Sequence, residues 1–332
     1  MSLVVAVWSA DSGRMANETV SARLGQLRNH LTQIVNETVP TFMVFIAAEF
    51  LFMHGRSTES SVRWYSPTEI NDVLSGLEEI SRAFPRTLLV GGTVCWAQAI
   101  DPLFGRTEWH VRNQTPVYYS GMRLVRYGKR PAGAEILAED ALRRHCQRRS
   151  SLDRTLYVPG SVDEKDGRKY ESEIAIGSMG YLAGLAKCTV CMGSRGADVP
   201  AASGVRKAVK NYAERCRFVL GREEPSFAIP GGSFTAGVEV CQEHNKEMLI
   251  VNSALRRTNF HLLVSSTVTS KAASENLRAP GYFTHAKAGC SPGLVHLDDD
   301  GIRHPNEACY WRESEPRLHY TNLKMPKGLC EA

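Results

Sequence analysis

The chain has 332 residues, 43% of them hydrophobic and 23% charged, with a formal net charge of +5. That length fits one large domain or two ordinary ones, and the apolar content builds a sizeable core, which excludes a disordered chain or a small stapled scaffold. The mild positive charge is concentrated only in "RRHCQRR", residues 143–149, which reads first as a solvated helix face and second as an anion or partner patch, so nucleic-acid binding is not expected.

Nine cysteines, an odd number at irregular spacing, do not outline a disulfide framework and point to a reducing compartment. The opening "MSLVVAVWSADSG" lacks a basic leader and reads as a strand. No apolar stretch approaches the ~20 residues of a membrane span. The expectation is a cytoplasmic protein with no membrane partner.

In chain order, "SLVVAVWSA" is a buried strand. "ANETVSARLGQLRNHLTQIV" follows with Val20, Leu24, Leu27, Leu31 and Ile34 at helical spacing. "TFMVFIAAEFLF" is a second buried strand ending in Glu49. "SPTEINDVLSGLEEISRAF" opens with a capping box: Ser66 at the N-cap, Pro67 behind it, Glu69 reaching back. "RTLLVGGTVCWAQ" reads as a third strand and "TPVYYSGMRLVRYGK" as a fourth, ending at Lys129. Near-continuous apolar strands alternating with helices predict an α/β architecture whose sheet is covered on both faces.

Residues 135–216 read as an insertion: a basic helix, a polar loop "GSVDEKDGRKYESE", a glycine-rich stretch and a helix "SGVRKAVKNYAERC". Strands resume at "CRFVLG", "SFAIPGG" and "FTAGVEVC". A helix "KEMLIVNSALRRT", a strand "NFHLLVSSTV" and a hairpin "GLVHLDDDGIRHP" turning at Asp-Gly follow.

Three side chains carry candidate chemistry. Cys241 ends an apolar strand just before a helix, where outward N–H groups and the positive helix end favour a thiolate and a developing oxyanion. Taken alone it reads first as a buried structural thiol. Glu49 ends an apolar strand, where burial suits a general acid or base, unless it reaches water at the strand's edge. Lys129 is a compact cation at another strand end, suited to an oxyanion or merely solvated. The lone pair Cys188 and Cys191 lacks the four ligands of a structural zinc site, and no dinucleotide or Walker fingerprint is present, so no metal and no cofactor is expected. Ligands of α/β folds collect at strand ends, which is where the acid, the lysine and the cysteine all fall.

The order glutamate, lysine, cysteine resembles the catalytic triad of the nitrilase superfamily of carbon–nitrogen hydrolases. "FMVFIAAEFLFMHG" resembles that family's glutamate motif, "LLVGGTVCW" its third-strand segment, and "YYSGMRLVRYGKR" its lysine motif, with Tyr127 two before the lysine. "GVEVCQEHNKE" resembles its cysteine elbow. The sequence departs from the family in having Ala48 before the acid, Gln242 and Glu243 after the cysteine, and a longer separation between Lys129 and Cys241. The resemblance implies an α-β-β-α sandwich, a single hydrolase domain over 1–332 with the 135–216 insertion acting as a lid or docking surface, and a homodimer. It implies a small amide or nitrile as substrate, amide before nitrile. Glu49 would be the base, Cys241 the nucleophile, Lys129 and the Gln242 N–H the oxyanion donors, and Glu135, or next to it Glu139, a second, substrate-positioning glutamate. Other readings keep the cysteine but use it for acyl transfer, or for protein deamidation with His244 or His285 as base. A catalytically silent binding protein of the same fold is a further alternative.

Overall fold

The computed structural model describes residues 2–11, 15, 18–53, 64–100, 108–130, 155–163, 169–175, 216–252, 257–266, 268–271, 274–304, 312–313, 317–326 and 329. The first half runs β1 (Ser2–Trp8), α1 (Val20–Thr38), β2 (Phe42–Ala47), α2 (Pro67–Ala83), β3 (Thr87–Val90), β4 (Val94–Ile100), β5 (Glu108–Tyr119) and β6 (Met122–Gly128). Next come β7 (Thr155–Asp163), β8 (Lys169–Ala175), β9 (Cys216–Leu220), β10 (Ser226–Ala228) and β11 (Thr235–Val240). The rest is α3 (Gln242–Asn245), α4 (Met248–Asn252), β12 (Thr258–Ser265), β13 (Leu277–Lys287), β14 (Gly293–Leu297), β15 (Arg303–His304), β16 (Arg312–Glu313) and β17 (Leu318–Lys324).

Among the described residues these strands form two sheets. The first has the order β16-β17-β1-β2-β3-β5-β9-β7-β8, with β4 and β6 also paired to β5. The second has the order β10-β11-β12-β13-β14-β15. The parallel trio β1, β2 and β3 in one sheet has a counterpart in β11, β12 and β13 in the other.

The period of two along each strand explains the layers. Leu3, Val5 and Val7 of β1, with Phe42, Val44 and Ile46 of β2, face Val238, Val240, Phe260, Leu262 and Val264 of the second sheet. The alternate residues Val4, Ala6, Met43 and Phe45 turn outward and meet Leu27, Leu31 and Ile34 of α1 and Val73, Leu77 and Ile80 of α2. Both faces of β1 and β2 are therefore buried, which is why their sequences are apolar without alternation. Short α3 and α4 lie over β11, where Leu249 packs against the bare backbone of Gly237. The architecture is an α-β-β-α sandwich, as the resemblance implies.

The helices begin as the sequence predicts. The Thr19 side chain accepts from Ala22 N–H at the start of α1, and the Ser66–Glu69 capping box closes reciprocally on α2.

Two single strands of the sequence reading are pairs. "RTLLVGGTVCWAQ" breaks at Gly91-Gly92 into β3 and β4, because Gly92 takes φ +74° and a Cβ there would lie 2.6 Å from Ala48 O. "TPVYYSGMRLVRYGK" is a hairpin, β5 and β6, turning on Ser120 (φ 51°) and Gly121 (φ 77°), the positive-φ pair of a tight hairpin turn. Of the helix expected over "KEMLIVNSALRRT", the described part is the short α4, with α3 a separate turn of helix before it and Thr258 already in β12. Part of the polar loop "GSVDEKDGRKYESE" is strand: β7 and β8 pair antiparallel, and β7 pairs parallel with β9, so part of the expected insertion widens the first sheet. The remainder of 131–215 lies outside the described residues. That includes Glu135, Glu139, the 143–149 basic run, Cys188 and Cys191.

Candidate active site

Glu49, Lys129 and Cys241 come together in the core, each at most 2% exposed. Glu49 lies two residues past β2. Its position is set by Ala48 N–H donating to Trp8 O at 3.1 Å and by the bonds of the next turn, Phe50 N–H to Thr93 Oγ1 at 2.8 Å and Phe52 N–H to Thr93 O at 3.1 Å. Lys129 follows β6 directly, and its N–H donates to Asn113 O on β5 at 2.8 Å. Gly128 and Gly221 meet backbone to backbone here: a Cβ on Gly221 would fall 1.8 Å from Gly128 O. Only glycine at position 221 lets the end of β9 pass beneath the lysine.

Lys129 Nζ donates to Glu49 Oε1 at 2.9 Å. The same oxygen accepts from Asn113 Nδ2 at 3.3 Å, and Oε2 accepts from Ser266 N–H at 3.0 Å. Ser266 directly follows β12 of the opposite sheet, so this carboxylate is held from both sheets. Burying two charges is expensive, and the direct ion pair with added donors is what makes it tolerable.

Cys241 directly follows β11. Its N–H continues the ladder to Val264 O at 2.8 Å, and its backbone takes φ 53° and ψ −109°, a strained conformation for a side-chain-bearing residue. Such a strand-to-helix turn thrusts the side chain out of the sheet. The turn was expected to favour thiolate. Instead burial, and then the Glu49 charge beside it, push the thiol up to about 12, while Lys129 pulls the other way. Burial and Glu49 thus favour the neutral thiol over a preformed thiolate. Gln242 opens α3, where the first N–H groups have no partner within the helix.

Both alternative bases are engaged elsewhere. His285 Nε2 is bonded to Ser265 Oγ at 2.7 Å, and burial above all lowers its pKa to about 3. His244 Nδ1 lies 2.8 Å from Glu239 Oε2, and its Nε2 accepts from Lys271 N–H at 3.1 Å.

The sequence reading did not anticipate two buried carboxylates flanking the cysteine. Glu239 accepts from His244, from His261 Nε2 at 2.9 Å and from Leu249 N–H at 2.6 Å. Glu239, His244 and His261 offer three ligand atoms within 4.8 Å of one another, the donor set of a metal site. The outer nitrogens argue against one. His244 Nε2 and His261 Nδ1 each accept a backbone N–H, from Lys271 and Asn276, so each ring carries its proton on the nitrogen facing Glu239. A metal there would need those nitrogens bare and the outer ones protonated, against the backbone donors. Glu243 bonds Tyr127, Arg130 and Val240. Its presence two residues after the cysteine was the one available signal. Asn113 was signalled only by its polarity inside a strand.

A cavity of about 420 Å³ lined by Trp8, Asp11, Gln26, His30 and Arg317, among others, includes none of the three central residues. No helix among the described residues is long and apolar enough to cross a membrane.

No family model matches the chain, and no curated protein matches it in sequence. Among solved structures it is similar to Saccharomyces cerevisiae Nit3, a member of branch 10 of the nitrilase superfamily, with a TM-score of 0.49 and 13% identity over 99% of this chain and 92% of that one. It is also similar to an amidase from Nesterenkonia sp., with a TM-score of 0.42 and 12% identity over 100% of this chain and 92% of that one. A mutant of the Nesterenkonia sp. AN1 amidase in complex with butyramide gives a TM-score of 0.42 and 12% identity over 97% and 90%. The chemistry of the site rests on its own geometry.

Proposed function

We propose that the protein is a cysteine-dependent hydrolase of a non-peptide carbon–nitrogen bond in a small amide. The observation that carries this is the buried Glu49–Lys129 pair, 2.9 Å apart, with the buried Cys241 at a strained turn in the same core. Glu49 takes the thiol proton as sulfur bonds to the amide carbon. Lys129 and the Gln242 N–H stabilise the tetrahedral oxyanion. Glu49 returns the proton to the leaving nitrogen, which departs as ammonia or an amine and leaves a thioester on Cys241. Water, deprotonated by Glu49, adds to the thioester, and the acid leaves as sulfur regains its proton. The three groups accomplish this without a cofactor. The same reading makes the protein a homodimer, which a light-scattering mass of two chains would support.

The test is intact-protein mass spectrometry after incubation with a panel of small amides and nitriles. The expected result is an acyl adduct on Cys241 from an amide, absent in Cys241→Ala. Amide turnover by folded Cys241→Ala would overturn the assignment.

A further inference from the structure

Glu243 joins the two halves of this site. It stands on α3, two residues past Cys241, and is completely buried. Its Oε1 accepts from the Tyr127 hydroxyl at 2.9 Å and from Arg130 N–H at 2.8 Å. Its Oε2 accepts from Val240 N–H at 2.7 Å. Tyr127 and Arg130 bracket Lys129 on the first sheet, and Val240 immediately precedes Cys241 on the second. One carboxylate thus grips the lysine segment and the cysteine turn together.

The three partners are all donors in this arrangement. The peptide N–H groups of Arg130 and Val240 can only donate, and the tyrosine hydroxyl alone can reverse its role. A proton on Oε2 would confront the Val240 N–H. A proton on Oε1, with the tyrosine turned to accept it, removes the charge from the acceptor of the Arg130 N–H and leaves it a weaker one. Protonation therefore weakens the ties to the backbone beside Lys129 and Cys241.

We propose that Glu243 is a positioning residue whose ionised carboxylate holds Lys129 and Cys241 in reactive register, so that the nucleophile becomes competent as pH rises through the titration of this group. The register it serves is that of the proposed hydrolase. The titratable and charged groups around it are Tyr127 and Arg130 at the end of β6, and Glu239 on β11. Burial drives the Glu243 carboxyl up to about 7; its three bonds oppose this and Glu239 adds to it. The switch thus falls near neutrality.

The test is the rate of Cys241 alkylation by iodoacetamide in the full chain, located by peptide mass, for wild type, Glu243→Gln and Tyr127→Phe. We expect the ratio of wild-type to Glu243→Gln rates to rise from near unity at pH about 5.5 to about tenfold at pH about 8.5, the order of loss for a misplaced reactive group. Tyr127→Phe removes a bond that favours the ionised form, so its rise moves to higher pH. A ratio constant with pH in a folded Glu243→Gln protein overturns the proposal. If that variant does not fold, a Tyr127→Phe rise at unchanged or lower pH overturns it. Alkylation needs no substrate. A failure to turn over amides would therefore count against the hydrolase reading while leaving this outcome readable.

Discussion

Lys129 shows how much one side chain can be made to do when it is taken out of water. Its ammonium pairs with Glu49 at 2.9 Å in a core position, where its charge is weakly screened. Removing one oxyanion donor typically loses about 100- to 1,000-fold in turnover, so Lys129→Ala should fall by at least ~100-fold in kcat. It also strands Glu49 without its cation, so the variant should melt earlier, and a thermal scan beside the kinetics separates the two effects. Glu49→Gln keeps the shape but loses the proposed base, and should be as inactive as the cysteine variant toward the same amide panel. At this scale the sequence was informative for Glu49, Lys129 and Cys241, because three polar residues ending apolar runs are conspicuous. It was uninformative for Ser266 and Asn113. Ser266 acts through its backbone N–H, and Asn113 reaches Glu49 across 64 positions of sequence.

Elements are set in place by positions where a side chain would not fit. Gly221 is the sharpest case, since both the oxygen and the carbonyl carbon of Gly128 lie within 2.2 Å of an added Cβ. Backbone cannot yield as a flexible side chain does. Gly221→Ala should therefore lose about 3 kcal/mol or more, read as a lower urea midpoint, with activity falling further because β6 leads directly into Lys129. The elements themselves were legible where hydrophobic period and capping agreed, as in α1 and α2. They were misread where a turn interrupts an apolar run. Gly91-Gly92 and Ser120-Gly121 look like strand interior until the positive φ angles of Gly92, Ser120 and Gly121 are known. In β7 and β8 a charged composition masked strand pairing, which depends on partners remote in sequence.

The whole molecule carries a pH dependence of its own through Glu239. Burial raises its pKa, but His261, His244 and the Leu249 N–H outweigh that and hold it down at about 2, below the ordinary carboxylate range. A depressed carboxyl stabilises the fold above its unfolded value, and the contribution is lost as pH falls through the folded one. Urea midpoints should therefore hold above pH about 4.5 and decline toward pH about 2, with roughly 3 kcal/mol at stake. His261→Ala should shrink that decline. A variant as acid-sensitive as wild type would remove Glu239 as its source. The sandwich itself was foreseeable from the sequence. The network was not, because it depends on β11, β12 and α3 meeting.

Glu49 and Lys129 belong to one sheet, while Cys241 and Ser266 belong to the other. During refolding, and with the other three tryptophans replaced, Trp8 and Trp96 sense the first sheet and its helices, whereas catalysis by the proposed triad needs both sheets seated face to face. Activity is thus a clock for the last assembly step: it should return with the tryptophan signal or after it, and never before.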